Sequence, residues 1–363
     1  MTGISAKSSI EKLETYKPNF GKSNLDNLIR LSANEGALGT SLNAIKALKS
    51  FSKNLHRYPP QVSEDLVNAI AKRYSLKKDR IILGNGSDEL ISIIAQAFLD
   101  IKDEAIYTEY GFLQFPQAIS IAGAKGIIAK DNDLTASVDN ILSKVNERTK
   151  VIFLANANNP TGTFISKDEV MRLHGSISSK ILLVYDAAYS EYINHHEYID
   201  GSSLVEKYEN VIMLRTFSKL HGLASLRLGW GYCSQYILDN LMKVRGPFSV
   251  NTPAIIAGIA AVEDISFQEK SVIHNFEWMD WLEKELKLLN LSFQKSLTNF
   301  LLIKFPEQNQ YNAQNAIKFL AKKGILVRGM SAYKLSNYIR VSIGTEKENI
   351  KLINELKIFL EKK

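Results

Sequence analysis

Four short apolar runs end alike, and together they constrain the fold more than any other feature of the chain. Residues 80–90 read RIILGNGSDEL, 150–162 KVIFLANANNPTG, 180–189 KILLVYDAAY and 210–219 NVIMLRTFSK. Each run is continuously apolar and lacks the in–out alternation of a half-solvated strand. That is the pattern of strands buried on both faces of a parallel sheet. Amphipathic stretches lie between them, such as SKDEVMRLHGSI at 166–177, and fit βαβ crossovers. SEDLVNAIAKRY at 63–74 is a predicted helix with Ser63 as its N-cap.

From about residue 264 the pattern changes. FQEKSVIHNFEWMDWLEKELKLL predicts a long amphipathic helix, NFLLIKF, GILVRGM and YIRVSIGT predict strands, and ENIKLINELKIFLEKK a closing helix. The expected layout is α/β, with a mostly parallel central sheet. An arm and lead-in segment (1–45) precede a large domain (46–262), and a smaller α+β domain (263–363) follows.

Composition narrows the function classes. Hydrophobic residues make up 45% and charged residues 23%, ordinary values for a globular chain. The net charge of +7 comes from scattered lysines, and no basic run is interleaved with aromatics, so no nucleic-acid surface is expected. The basic balance suits small anionic ligands. Cys233 is the one cysteine, which excludes an internal disulfide and points to a reducing compartment. The first residues lack the apolar core of a signal peptide, and PAIIAGIAAV at 253–262 is too short to span a bilayer. A cytoplasmic protein without a membrane partner is expected.

Ligands of open parallel sheets bind beyond the carboxyl ends of the strands. The four runs end in GNGSDE, NANNPTG, YDAAY and RTFSK, so their polar residues should line one sheet edge. Each cluster has a plainer reading. Asn-Pro-Thr-Gly is a good turn, Asp186 could cap a helix, Tyr189 could be a core aromatic, and Lys219 could be a solvated loop charge.

Taken jointly, they form a set. A helix start after GNG offers backbone N–H groups at Ser87 and Asp88 to a phosphate, with the Asp88 carboxylate left to dipole or cap duty. Thr216 and Ser218 add hydroxyls, and Arg227 can grip phosphate oxygens with paired N–H bonds. Asp186 can hold a protonated ring nitrogen, Asn159 and Tyr189 can donate to a phenolic oxygen, and Tyr110 can stack on a flat ring. Lys219 is left to form a Schiff base. Pyridoxal 5′-phosphate asks for this set, because its ring is an electron sink only while its nitrogen stays protonated.

At these residues the chain resembles the fold-type I pyridoxal-phosphate-dependent aminotransferases, and within them the histidinol-phosphate branch. The resemblance runs from LSANEGALG at 31–39 through HRYP at 56–59 and the four strand ends to SKLHGLASLRLG and YIRVSIGT at 338–345. It implies that Lys219 bonds the cofactor and later moves a proton between substrate and cofactor. Asp186 would pair with the ring nitrogen, Asn159 and Tyr189 would contact the ring oxygen, and Tyr110 would cover the ring. Ser87, Asp88, Thr216, Ser218 and Arg227 would hold the phosphate. Tyr58 matches the tyrosine such dimers lend to the neighbouring subunit's cofactor phosphate, so a homodimer is implied. No metal is.

The implied reaction moves an amino group between L-histidinol phosphate and 2-oxoglutarate, in histidine biosynthesis. Arg328 and Arg340 would take the substrate's phosphate, although single strand arginines are commonly surface charges. Asn34 and Glu35 would lie near the imidazole end, with a turn and helix cap as the rival reading. Ala187 stands where the family usually has Glu, and PQVSEDL replaces its commoner Asp-Gly turn. His221 reads as a space-filling loop histidine, with a second base as the rival. The alternatives are an aromatic amino acid transaminase, a phosphothreonine decarboxylase, and a non-catalytic phosphate-ligand-binding module.

Overall fold

The structure, a computed structural model, describes residues 3–11, 13, 28–51, 55–307 and 310–361. Residues 14–27 of the expected arm therefore lie outside the described residues. A short strand, β1 (Ile29–Arg30), precedes the strands of the main sheet. These are β2 (Ile81–Gly84), β3 (Glu104–Thr108), β4 (Lys125–Ala129), β5 (Thr149–Ala155), β6 (Leu182–Asp186), β7 (Val211–Thr216) and β8 (Gly229–Cys233).

Their spatial order is β2-β8-β7-β6-β5-β3-β4. Strands β3 to β7 are mutually parallel, whereas β8 runs antiparallel to both β7 and β2. Two reversals cancel, so β2 points the same way as β5, β6 and β7. The four polar strand ends thus share one edge.

The continuous apolar runs are explained by two cores, one on each face. Ile152, Leu154, Leu183, Tyr185, Val211 and Met213 enter one core, and Val151, Phe153, Leu182, Val184, Ile212 and Leu214 the other. Alternate side chains leave a strand on opposite faces, and here both faces are covered by helices. Helices Glu64–Tyr74, Lys167–Gly175 and Thr252–Glu263 pack into the first core, and Ser87–Phe98, Gln114–Ala122 and Gln235–Val244 into the second. Ser63 caps its helix as expected, its hydroxyl accepting from the Leu66 amide at 3.4 Å.

The C-terminal layer comprises β9 (Ser292–Gln294), β10 (Phe300–Lys304), β11 (Ile325–Leu326), β12 (Arg328–Met330) and β13 (Leu335–Ser342). β12-β13-β10-β9 form an antiparallel sheet whose core takes Leu282 and Leu286 from helix Ile265–Leu288, Leu320 from Ala313–Lys322, and Leu352 and Leu356 from Glu346–Glu361. GILVRGM, expected as one strand, is divided at Val327 into β11 and β12. β1 lies parallel on β11, which fastens the lead-in segment to this layer and carries residues 32–35 over the edge of the main sheet. No helix among the described residues is long and apolar enough to cross a membrane.

Candidate active site

Beyond the carboxyl edge of the main sheet lies a cavity of about 520 Å³. Its wall takes most of the expected residues: Asn34 and Glu35; Ser87 and Asp88; Asn159; Asp186 and Tyr189; Thr216, Ser218, Lys219 and Arg227; Arg328 and Arg340. Segments nearly 310 positions apart in sequence meet here. The Asn34 amide, for example, donates to the Ser342 hydroxyl at 2.8 Å.

One end of the cavity is built to receive an anion. Gly86, at φ 80°, turns β2 into helix Ser87–Phe98, and no side chain caps that helix start. Its first N–H groups therefore remain without a side-chain acceptor. Glycine fits the turn because φ 80° with ψ 165° lies in a backbone region that residues with a Cβ rarely adopt. Arg227 donates to the Ser218 Oγ at 3.3 Å, the Ala224 carbonyl at 3.1 Å and the Asp88 Oδ2 at 2.8 Å. The Asp88 carboxylate thus pairs with Arg227 and does not cap the helix. Thr216 Oγ1 accepts from the Ser218 amide at 3.1 Å, and Ser218 Oγ accepts from Arg227. Both hydroxyl protons are left to donate elsewhere.

In the middle lie a buried carboxyl and a buried amine. Asp186, at the end of β6, is 5% exposed, and its Oδ1 accepts from the Ala188 amide at 3.1 Å. Burial pushes its carboxyl up to about 7, against the lowering effect of that amide. Burial also brings the Lys219 amine down to about 8, and the Arg340 guanidinium pushes the same way. Lys219 Nζ donates to the Ala33 carbonyl at 3.3 Å and lies 5.9 Å from the centre of the Tyr189 ring. Tyr189 Oη accepts from Asn34 Nδ2 at 2.9 Å, and burial raises its hydroxyl well above the usual tyrosine value.

The far end is basic. Arg328 and Arg340 face each other directly across β12 and β13. Arg340 donates to the Asn159 Oδ1 and, at 2.9 Å, to the Ser32 carbonyl. Glu35 accepts from Arg30 at 3.2 Å.

Two expected residues are off this wall. Tyr110 sits in the turn after β3, where its amide donates to Asp131 at 3.2 Å and its ring packs against the cluster of Leu302, Met330, Tyr333 and Leu335. Phe112 and Leu113 line the cavity from this segment instead. Tyr58 is 81% exposed and stacks on Phe248 with ring centres 4.6 Å apart. The wall also includes Ser32, Ala33 and Tyr333, which carried no legible signal in the sequence. His221 is 1% exposed outside the cavity, its Nε2 is 3.5 Å from the Tyr74 hydroxyl, and burial lowers its ring to about 4. Among the described residues, no cluster of His, Cys, Asp and Glu is arranged to hold a metal ion.

A doubly covered α/β sheet with a lysine, a buried carboxylate and an anion cradle at its carboxyl edge defines a class of group-transfer enzyme. The family model for aminotransferases of class I and II matches residues 26–356, and the chain belongs to that family. Its resemblance within the family is to histidinol-phosphate aminotransferases. That of Paramagnetospirillum magneticum is 44% identical over 336 residues, covering 93% of both chains, and that of Maricaulis maris 40% identical over 359 residues, covering 99% of both. The crystal structure of the Sinorhizobium meliloti histidinol-phosphate aminotransferase in complex with pyridoxal 5′-phosphate superposes with a TM-score of 0.89. It covers 99% of this chain and 98% of that one at 22% identity, a likeness of fold.

The residues present fit pyridoxal phosphate. A buried carboxylate whose nearest hydrogen bond is one amide calls for a cation, a lysine near 8 is poised to attack an aldehyde, and an uncapped helix start beside Arg227 suits a phosphate.

Proposed function

We propose that this chain exchanges an amino group between L-histidinol phosphate and 2-oxoglutarate, using pyridoxal 5′-phosphate in a ping-pong sequence, as a step of histidine biosynthesis. One observation carries the reading: Lys219 and Asp186, both buried and both shifted toward neutrality, share a cavity with an anion cradle at one end and paired arginines at the other. When bound, pyridoxal phosphate supplies the electron sink that accepts the charge left as a proton departs from the substrate's α-carbon.

The chain's own residues do the rest. Lys219, partly neutral near pH 7, would hold the cofactor's aldehyde carbon with loss of water, and once the substrate's amino group displaces it would be the free amine that carries the proton. Asp186 keeps the ring nitrogen protonated, and the cationic ring offsets the burial that holds its carboxyl at about 7. Asn159 presents Nδ2 to the ring oxygen, because its Oδ1 already accepts from Arg340, and Tyr189 donates alongside it. Backbone at Ser87 and Asp88, with Thr216, Ser218 and Arg227, holds the cofactor's phosphate.

Arg328 and Arg340 take the phosphate of the substrate, and Asn34 and Glu35 lie toward its imidazole end. On this reading a domain of residues 46–262 grips the cofactor, and one of residues 263–363 supplies the substrate arginines. Tyr58 serves the cofactor of a second copy, a role supported by its exposure and by its not lining this chain's own cavity. The enzyme is therefore read as a homodimer, with Tyr110 at the edge of the ring site. The lone Cys233, buried, fits a cytoplasmic setting.

The test is a half-reaction screen. Loaded protein is mixed with single amino donors, and loss of its visible absorbance is followed. L-Histidinol phosphate is expected to react fastest. A faster reaction with tyrosine or phenylalanine, carbon dioxide release from phosphothreonine, or a protein that never gains a visible band would each replace this reading with another.

A further inference from the structure

Behind the cavity lies an ionic cluster that none of the steps above uses. Arg215 extends the row Val211, Met213 on β7 into the first core, while its neighbour Thr216 faces the cofactor cavity. It is 3% exposed in a position where an apolar side chain would be expected. Its Nη1 donates to Glu191 Oε1 at 3.2 Å and its Nη2 to Asp200 Oδ2 at 2.5 Å. The guanidinium also lies over two rings, 4.9 Å from the centre of Tyr74 and 5.7 Å from that of Trp230. Burial is the largest influence and opposes the charge, but Glu191 and Asp200, with Tyr74 and Tyr198, together outweigh it. The Tyr74 hydroxyl donates to Glu191 Oε1 at 3.4 Å and stands 3.5 Å from His221 Nε2.

Such a cluster is not explained by stability. Apolar side chains of similar volume commonly serve as well as a buried ion pair, or better. What the cluster has is a location. Glu191 lies two residues beyond Tyr189 and five beyond Asp186, on the loop that leaves β6. Arg215 lies four residues before Lys219 on β7, and His221 two residues after it. The ions therefore tie together, from behind, the two strand ends that present the carboxylate and the amine. A slip of one end past the other changes the distance between those groups directly. Misplacement by about 1 Å at a reacting centre can cost about a hundredfold in rate.

We propose that Arg215, Glu191 and Asp200, extended by Tyr74 to His221, form a brace of positioning residues that fixes Lys219 relative to Asp186. Arginine suits this task because its planar fork holds two carboxylates in fixed directions, which a lysine cannot do. The brace acts through geometry: its ion pairs and ring contacts are among its own members, whereas the charges that act most strongly on Lys219 are those of Arg340, Asp88, Arg227 and Glu35.

The inference rests on Lys219 carrying the cofactor, and its test uses the loaded enzyme with Glu191→Gln, Arg215→Lys and Tyr74→Phe. The readouts are kcat and KM with L-histidinol phosphate, melting temperature, and visible-region circular dichroism per unit absorbance, which reports how rigidly the bound chromophore is held. For Glu191→Gln and Arg215→Lys, kcat should fall between about tenfold and a hundredfold with KM little changed. The visible dichroism should drop to less than half, while the pH at which the visible band titrates stays where it is. Tyr74→Phe, which removes one hydroxyl and keeps the ring under Arg215, should show the same pattern in weaker form. It decides the matter if the charged variants do not fold. Variants that melt earlier yet keep the parent's kcat and dichroism would overturn the brace alone. A parent protein with no visible band would overturn the reading beneath it as well.

Discussion

Replacing Asp186 by Asn should stabilise the chain when cofactor is absent and weaken it when cofactor is present. The side chain is buried, and its carboxyl is pushed from an ordinary 3.8 to about 7. A shift of that size corresponds to about 4 kcal/mol against the charged form. The sign follows from proton linkage. The folded chain binds the proton more readily than the unfolded chain, so the carboxylate costs stability above the unfolded value, and the cost is complete above about 7. Asn keeps the acceptor for the Ala188 amide and carries no charge.

For a chain of 363 residues, unfolding entropy of about 2 cal/mol/K per residue turns 4 kcal/mol into a rise in melting temperature of about 5 °C. The assay is differential scanning of cofactor-free protein. At pH 8 Asp186→Asn should melt about 5 °C above the parent, and at pH 5 the gain should shrink to less than half of that. With saturating cofactor the order should reverse, because the neutral amide cannot partner a protonated ring nitrogen. An Asn variant that melts below the parent at pH 8 without cofactor would refute the claim of a strained buried charge. So would a gain independent of pH.

Arg227→Ala should weaken cofactor binding by about 10- to 100-fold, the worth of a charge-assisted pair to phosphate, measured by equilibrium dialysis. Arg340→Ala should raise KM for L-histidinol phosphate by a comparable factor of about 10 to 100. It should also loosen Asn159, so a visible-band shift is expected with it. An unchanged KM would remove Arg340 from the substrate site. Mixing inactive Tyr58→Ala and Lys219→Ala proteins should regain activity through hybrid dimers that hold one intact site. Absence of recovery would argue against a shared site.

Much of the site was legible because its chemistry lies at strand ends. Continuous apolar runs announced β2, β5, β6 and β7, and the residues that follow each run are on the cavity wall. β4 and β8 gave no such signal for two physical reasons. β4, KGIIA, has its first residues exposed, so nothing selects a long apolar run there. β8, GWGYC, is rich in glycine because its neighbours approach closely: a Cβ at Gly229 would stand 2.4 Å from the Ser87 amide. Short β3, EAIYT, is bounded by Glu104 and Thr108 and carries no long apolar run either.

Long-range partners were also hidden. Nothing local indicates that Asn34 would bond Tyr189 from 155 positions away, or that Arg215 would find Asp200 and Glu191. The turn after β3 brings Phe112 and Leu113 to the wall, and nothing in their local sequence marks them out from Tyr110.

The central claim is that one amine, that of Lys219, carries the cofactor. Protein incubated with pyridoxal phosphate, reduced with borohydride, digested and sequenced by mass spectrometry should carry a phosphopyridoxyl group on the peptide containing Lys219. Lys219→Ala should carry none there. A modified lysine elsewhere with Lys219 untouched, or no modified peptide in a folded parent, would contradict the account.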